Sequence, residues 1–349
     1  MQKRKRKKLK RIIAIGSFFI LLICAAAIYF AYYIAFKPNL NIGQPTHVTI
    51  RTGSNFSEVV EEFIEQGIIN NSKTFIWLAT KKNYPNHVRP GRYLLKDNMG
   101  NNAVINLLRS GTQDPVNITF NNIRTKDQLA GTISRHLEAD STEMTRLLND
   151  QQYLEGFGVN KETAMLLFIP NTYEFYWNTS ATQIFTRMER EYKRFWNEQR
   201  MELANKAGYT PEEIMIITSI VQSETSRADE MSRIAGVYIN RLRRNMLLQA
   251  DPTVVFANGD FSITRVLHRH LTIDSPYNTY MYPGLPPGPI RLPEPLVIDK
   301  VLNYEDHDFL YFCARDDFSG YHAFARTYNE HLANARRYHR ALNAQPGRK

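Results

Sequence analysis

Cysteine is almost missing from this chain, with two in 349 residues, Cys24 and Cys313. Cys24 sits inside an apolar run and Cys313 lies far downstream, which argues against an intramolecular disulfide. Neither has the spacing of a metal-ligand pair. The chain before Leu166 also lacks a phosphate loop, a metal cluster and a nucleophile elbow. We therefore expect no metal and no cofactor. Acidic residues are absent from residues 1–37, and that absence decides how the formal charge of +10 is read. Nine of the 44 Lys and Arg residues lie there, leaving 35 against 34 acids in the remainder. A net charge of +1 beyond Lys37 removes the main support for a nucleic-acid role.

What is present begins with length, enough for two or more domains and a sizeable core. Ile12 to Phe36 is a run of 25 uncharged, mostly apolar residues, and about 20 suffice to cross a bilayer. A cleaved signal peptide would usually carry a shorter apolar core. Tyr29, Phe30, Tyr32 and Tyr33 resemble an interfacial belt at the outer end. The run is therefore read as a retained single-pass anchor, with the basic cluster cytoplasmic and everything after Lys37 translocated.

Residues 38–45 read as a short linker. His47 to Arg51 alternates as a strand, and Phe56 to Gln66 and Ser72 to Lys82 follow as helices. Gly91 to Leu95 returns as a strand, and Asn101 to Arg109 is a short helix. Val116 to Phe120, Lys126 to Leu137 and Ser141 to Asn149 partly repeat this strand–helix order, giving small mixed α+β packing. Leu166 to Trp177 is dense in aromatics interleaved with Asn171, Thr172 and Glu174. Such a run suits a sugar-binding wall, and suits a hydrophobic core somewhat better. One long helix is expected over Ala181 to Ala207.

The organising stretch is Thr210 to Arg227. Thr210, Pro211 and Glu213 give a capping box with proline at the first helical position. The interior is apolar through Ile214, Met215, Ile216, Ile217, Ile220 and Val221, so the helix should be buried on most sides. Glu224 falls on the face of Ile217, Ile220 and Val221. A carboxyl at the end of an apolar stripe loses hydration, which raises its pKa and suits it to general-acid work. Taken alone, the blander reading is a helix-end acid paired with Arg227.

Glu230 to Arg244 forms a further helix with Ile234, Val237, Tyr238 and Leu242 as its apolar positions. Asp229 and Glu230 are read as solvated or capping. Beyond it periodicity fades into Met246 to Val254 with an Asp-Pro turn, Ser275 to Tyr280, and Gly284 to Ile290. Polar and aromatic side chains on proline-stiffened loops fit a preorganised concave surface. Phe309 to Ala314 and Tyr321 to Arg326 form a hairpin, with Cys313 as a small core residue. His322 is placed equally well in a groove or in the sheet. A basic helix, Tyr328 to Leu342, closes the domain with Arg336, Arg337, His339 and Arg340 on a solvated face.

In their order, these segments resemble the endolytic murein transglycosylases, the MltG or YceG-like family. The motifs are Pro170-Asn-Thr-Tyr-Glu174, Ser219-Ile-Val-Gln-Ser-Glu-Thr225, Ile234 to Leu242, Leu248-Gln-Ala-Asp-Pro-Thr-Val254, Ser275-Pro-Tyr-Asn-Thr-Tyr280, Gly284 to Ile290, and Gly320-Tyr-His-Ala-Phe324 with Glu330 and His331. The resemblance covers roughly residues 46–342. It implies an α+β protein with a cytoplasmic tail and transmembrane helix in 1–37, a LysM-like α/β module in 46–115 and a catalytic domain in 116–342. Many relatives read Val-Glu-Lys-Glu-Thr where this chain has Val221-Gln-Ser-Glu-Thr225, so the catalytic role falls on Glu224.

The resemblance further implies cleavage between N-acetylmuramic acid and N-acetylglucosamine in peptidoglycan glycan strands, with 1,6-anhydro ends, on the outer face of the inner membrane. Gln249, Asp251, Thr253, Tyr277, Asn278 and Tyr280 are the expected substrate-binding residues, with Glu174 and His322 as further candidates. Glu174 as a second acid would make the protein a hydrolytic muramidase. A non-catalytic peptidoglycan-binding scaffold that recruits cell-wall synthases is the alternative of another class.

Overall fold

The computed structural model describes residues 2–344, and the chain divides into two compact units. One holds residues up to 116 together with 174–179; the other holds 117–173 and the chain from 180 onward.

The first unit opens with α1 (Gln2–Phe36), whose segment Lys3–Phe36 is long and apolar enough to cross a membrane. Next come β1 (Thr46–Ile50), α2 (Phe56–Glu65), α3 (Ser72–Lys81), β2 (Gly91–Leu95) and α4 (Asn101–Ser110). β1 and β2 pair antiparallel with Val48 opposite Tyr93. Their alternation turns Val48, Ile50, Tyr93 and Leu95 inward, as a strand with one buried face requires. Asn55 caps α2 by accepting from the amides of Ser57 and Glu58, and Glu58 returns the bond to Asn55 N–H. That helix buries Val59, Val60 and Phe63 beneath its glutamates.

Residues 38–45 are not a free linker, contrary to expectation. Pro38 bridges to Gly100 and Leu40 to Ile69. Buried Asn39 donates to Asn101 Oδ1 at 2.7 Å, and Asn101 Nδ2 donates to the Ile34 carbonyl at 3.0 Å. Gly100 is required here, because a Cβ would lie 2.8 Å from the Phe36 carbonyl carbon. Three short polar side chains, Asn39, Asn70 and Asn101, tie the segment down, with Asn39 bonding both the backbone N–H and the carbonyl of Asn71. No hydrophobic period announces such bonds.

The second unit contains β3 (Val116–Thr119), α5 (Lys126–Ser134), α6 (Ser141–Leu147), α7 (Gln151–Glu155) and β4 (Thr172–Phe175), although the ends of β3 and β4 fall to the first unit. β3 and β4 form a two-stranded sheet. Leu166, Phe168, Ile169, Tyr173 and Phe175 are all buried, so the aromatic run is core as far as Phe175, whereas Tyr176 is exposed. The expected long helix is two, α8 (Ala181–Phe195) and α9 (Glu198–Ala207). Trp196 leaves helical geometry at ψ 65°, and Asn197 starts a new helix by accepting from Arg200 N–H. Asparagine favours that capping position over a helix interior.

α10 (Pro211–Glu224) is the axis of this unit, and the Thr210–Glu213 capping box forms as its sequence predicts. Nine consecutive residues, Ile214 to Gln222, are buried. Around it pack α9, α11 (Met231–Arg243), α12 (Asp251–Asn258) and α13 (Pro295–Leu302). α12 departs from expectation, since it lies where an Asp-Pro turn is expected, and α13 falls in a stretch for which the sequence carries no assigned element. Asp251-Pro252 opens a helix instead of an isolated turn, and Pro295 starts one that buries Val297, Ile298, Val301 and Leu302. Polar groups on α10 are satisfied within the core. Thr218 donates to the Ile214 carbonyl, Ser219 accepts from Ile290 N–H, and Gln222 exchanges two 2.8 Å bonds with Glu294. The antiparallel hairpin β5 (Tyr311–Ala314) and β6 (His322–Ala325) then packs against α14 (Tyr328–Asn343).

Asn101→Ala tests the stitch at the head of the first unit. Losing its amide contacts should destabilise the unit by about 1–3 kcal/mol and accelerate hydrogen exchange across residues 34–40, read on the full chain in detergent micelles.

Candidate active site

Glu224 is the last residue of α10, and its side chain is half-buried at the floor of a cleft. Two hollows, of about 1050 Å³ and about 430 Å³, share Glu224 and Asp251 as lining residues. Val255, Phe256, Phe261 and Ile290 form apolar wall in the larger one, with Arg124 and Arg265 beside them. The smaller one is lined by Tyr238, Arg241, Gln249, Tyr280, Tyr311 and His322, among others.

Burial pushes the Glu224 carboxyl up to about 7; the Tyr238 hydrogen bond opposes the rise and the charge of Asp251 adds to it. Its place at the carbonyl end of a helix disfavours the anion as well. Tyr238, on α11, donates its hydroxyl to Glu224 Oε1 at 2.7 Å. The Tyr238 phenol is itself pushed well above its ordinary range, chiefly by burial, so it stays a donor. Glu224 therefore passes between neutral and ionised forms near neutral pH while one oxygen keeps a fixed orientation.

One turn along α11, buried Arg241 organises the facing loop. It donates to the carbonyls of Leu247, Leu248 and Leu310 and to Gln249 Oε1. Burial lowers its pKa, yet guanidinium remains charged at any working pH. Gln249 adopts φ 51°, a left-handed conformation that only outside bonds maintain in a non-glycine residue. Those bonds include its own N–H to the Thr279 carbonyl at 3.0 Å. Asp251 Oδ1 then accepts from the Tyr280 hydroxyl at 2.6 Å.

The expected binding residues divide into two groups. Gln249, Asp251, Tyr280 and His322 line the cleft with Glu224. Thr253 and Asn278 do not, because both are fully buried. The Thr253 hydroxyl donates to the Ala250 carbonyl and is 2.8 Å from the Thr279 hydroxyl. Asn278 donates to the carbonyls of Leu271 and Ile273 and accepts from Tyr280 N–H. Both hold the loops that present their neighbours. Tyr277 packs against Phe256, the rings tilted by 47° with centroids 4.8 Å apart, and is absent from the lining of either hollow. Glu174 is exposed and belongs mostly, with residues 174–179, to the first unit.

Three further corrections concern groups read as bland. Glu230 is buried instead of solvated, and accepts from His322 N–H at 3.0 Å while its second oxygen lies 2.9 Å from His322 Nδ1. Its neighbour Asp229 is exposed, as expected, and accepts from the Tyr321 hydroxyl. Cys313 is half-exposed and lines the smaller hollow, so it is not a core residue. Arg227 does not pair with Glu224; it donates to the Ser319 carbonyl. Tyr238 was legible in principle, since a tyrosine on an apolar helix face needs a partner for its hydroxyl. Among the described residues no cluster of side chains suits a metal ion.

Fold and cleft together define an α+β protein built around one protonatable, helix-borne carboxyl. The profile of the YceG-like family matches residues 48–337, and the chain belongs to that family. It is 28% identical over 308 residues to the endolytic murein transglycosylase of Bacillus subtilis, covering 84% of each chain. With the endolytic murein transglycosylase of Streptococcus pneumoniae it shares 27% identity over 318 residues, covering 82% of this chain and 57% of that one. A crystal structure of a YceG-like protein from Listeria monocytogenes aligns with TM-score 0.55 and 26% identity, over 83% of this chain and 99% of the other.

Two measurements check the electrostatics. Tyr238→Phe removes a bond that favours the anion, so the Glu224 pKa should rise by about one to two units, the equivalent of a charged hydrogen bond; carbon-detected NMR titration of the carboxyl reads this directly. The raised folded pKa also predicts a pH-dependent stability. The stabilisation of the protonated form is complete below about 4.5 and is lost as pH rises through about 7. It amounts to about 3 kcal/mol. Glu224→Gln should abolish that part of the decline in denaturant unfolding compared at pH 4.5 and pH 8.

Proposed function

We propose that the chain is a membrane-anchored lytic transglycosylase that cuts peptidoglycan glycan strands internally. The carrying observation is the Glu224 carboxyl, raised to about 7 and held by Tyr238 where two hollows meet. The relatives named endolytic murein transglycosylases support the same reading.

One carboxyl acts twice in this chemistry. Protonated Glu224 gives its proton to the glycosidic oxygen as the bond to C1 of N-acetylmuramic acid breaks. The resulting carboxylate takes the proton of that sugar's 6-hydroxyl, whose oxygen attacks C1 and closes a 1,6-anhydro ring. No water is consumed, and the carboxyl returns to its starting form. A pKa near the working pH serves both steps. Asp251, fixed by Tyr280, steadies the positive charge that develops at C1, and Gln249 and His322 contact the sugars.

Asp251 also supports the second reading, a muramidase in which that carboxylate activates a water. Glu174 lines neither hollow that holds Glu224, so Asp251 is the second carboxylate of that reading.

In the proposed arrangement α1 crosses the inner membrane once with the basic tail in the cytoplasm, so that residues beyond Lys37 lie on the outer face. Residues 46–115 act as a LysM-like module and 116–342 as the catalytic domain. The protein then terminates or trims nascent strands beside the synthases that make them.

Digestion of purified glycan strands followed by mass analysis tests this. Anhydro ends, one water lighter than reducing ends, are expected, and Glu224→Gln should reduce their formation by about 10²–10⁴-fold, the usual contribution of a general acid. Turnover should fall about tenfold per pH unit above about 7, as the acid form is depleted. Reducing ends would establish the muramidase, and intact strands with retained binding would establish a scaffold.

A further inference from the structure

The outward face of α3 does not look like the solvated side of a helix. Lys73, Ile76, Trp77, Thr80 and Lys81 are all exposed, at the i, i+3, i+4, i+7 and i+8 spacing of one helical stripe. Trp77 is 45% exposed and Ile76 is 37% exposed, at the centre of the stripe with a lysine at each end. The opposite face is used internally, with Phe75 and Ala79 fully buried.

Charge around this face is one-sided. Residues 66–96 contain six Lys and Arg and no acid. Four glutamates of the unit sit instead on α2, at Glu58, Glu61, Glu62 and Glu65, and the next acid along the chain, Asp97, shares a hollow with Ala35 and Phe36 of α1 and with Lys96.

Position gives the face its partner. Asn101 donates from one amide nitrogen both to the Ile34 carbonyl of α1 and to the Thr74 hydroxyl of α3. Trp77 is the next residue along α3 after Thr74 on that side, three positions on. From Ile12, about 20 residues cross the hydrocarbon at 1.5 Å each, so the span ends near Tyr32. Ile34 then lies at headgroup depth, and α3 is pinned beside it. The Lys37 ammonium lies 4.4 Å over the Tyr33 ring at the same level.

We propose that the Lys73–Lys81 face of α3 lies on the outer leaflet of the bilayer that α1 crosses, with Trp77 and Ile76 in the interfacial layer and the lysines on anionic headgroups. Tryptophan is favoured at that depth, and each lysine near an anionic surface adds attraction that salt weakens. The first unit is thus a monotopic foot as well as a module on a stalk. The inference rests on α1 being a membrane span.

The test uses the full chain reconstituted in vesicles of mixed neutral and anionic phospholipid, with bromine placed high on the acyl chains. Of three tryptophans, Trp77 alone should be quenched, so Trp77→Phe should lower the quenched fraction at least threefold with an unchanged unfolding temperature. The pair Lys73→Glu with Lys81→Glu should reduce quenching about twofold in anionic vesicles and leave it unchanged in neutral ones. Equal quenching in wild type and Trp77→Phe, with the chain floating with the vesicles, overturns the proposal while the span stands. A shift of Trp77 emission by soluble glycan fragments, without bromine quenching, overturns it in favour of a sugar-binding face. A chain that fails to float removes the span and the proposal together.

Discussion

A carboxyl between two environments sets the terms for the rest of this molecule. Glu224 is attached to a helix that is buried on nearly every side, yet its own oxygens reach a cleft. Desolvation alone would keep it neutral and leave its orientation free. The Tyr238 hydroxyl changes that by binding one oxygen in both protonation states, at the cost of some of the pKa rise. The helices packed around α10 and the loops facing Glu224 maintain that balance, dry enough to protonate and open enough to meet a ligand.

Maintenance is mostly the work of residues that never meet a ligand. Thr218, Ser219 and Gln222 bring polar atoms into the core, and each finds a partner there. Left unpaired, such groups would each cost about 1–3 kcal/mol. Arg241 gathers carbonyls from two separate loops, and the strained Gln249 backbone depends on that grip. Thr253 and Asn278 do the same for the Asp251 and Tyr280 turns. Preorganisation here means that a loop's shape is fixed by buried side chains from elsewhere in the chain.

Much of the fold was legible because it follows from local rules. The α10 capping box, the apolar stripe leading to Glu224, the antiparallel hairpin at 311–325 and the apolar span each have a period or a cap that a sequence displays. Legibility stopped where the decisive partner was distant or the signal polar. Nothing near residue 230 shows that Glu230 meets His322, 92 positions away. Asp251-Pro252 looks like a turn, yet it opens a helix, because proline at the start of a helix gives up no bond that the helix needs. Motif residues were also read too uniformly as ligands, when Thr253 and Asn278 have no surface to offer.

The reciprocal bonds between Gln222 and Glu294 carry an implication for how this core can vary. An amide can give and receive at once, which lets it close a ring with the Glu294 carboxylate and its own backbone N–H. An acid at 222 would face Glu294 as a like charge unless one of the two carboxyls kept its proton. The two places are therefore chemically coupled: glutamate at 222 calls for a shared proton, a cation beside the pair, or a neutral residue at 294.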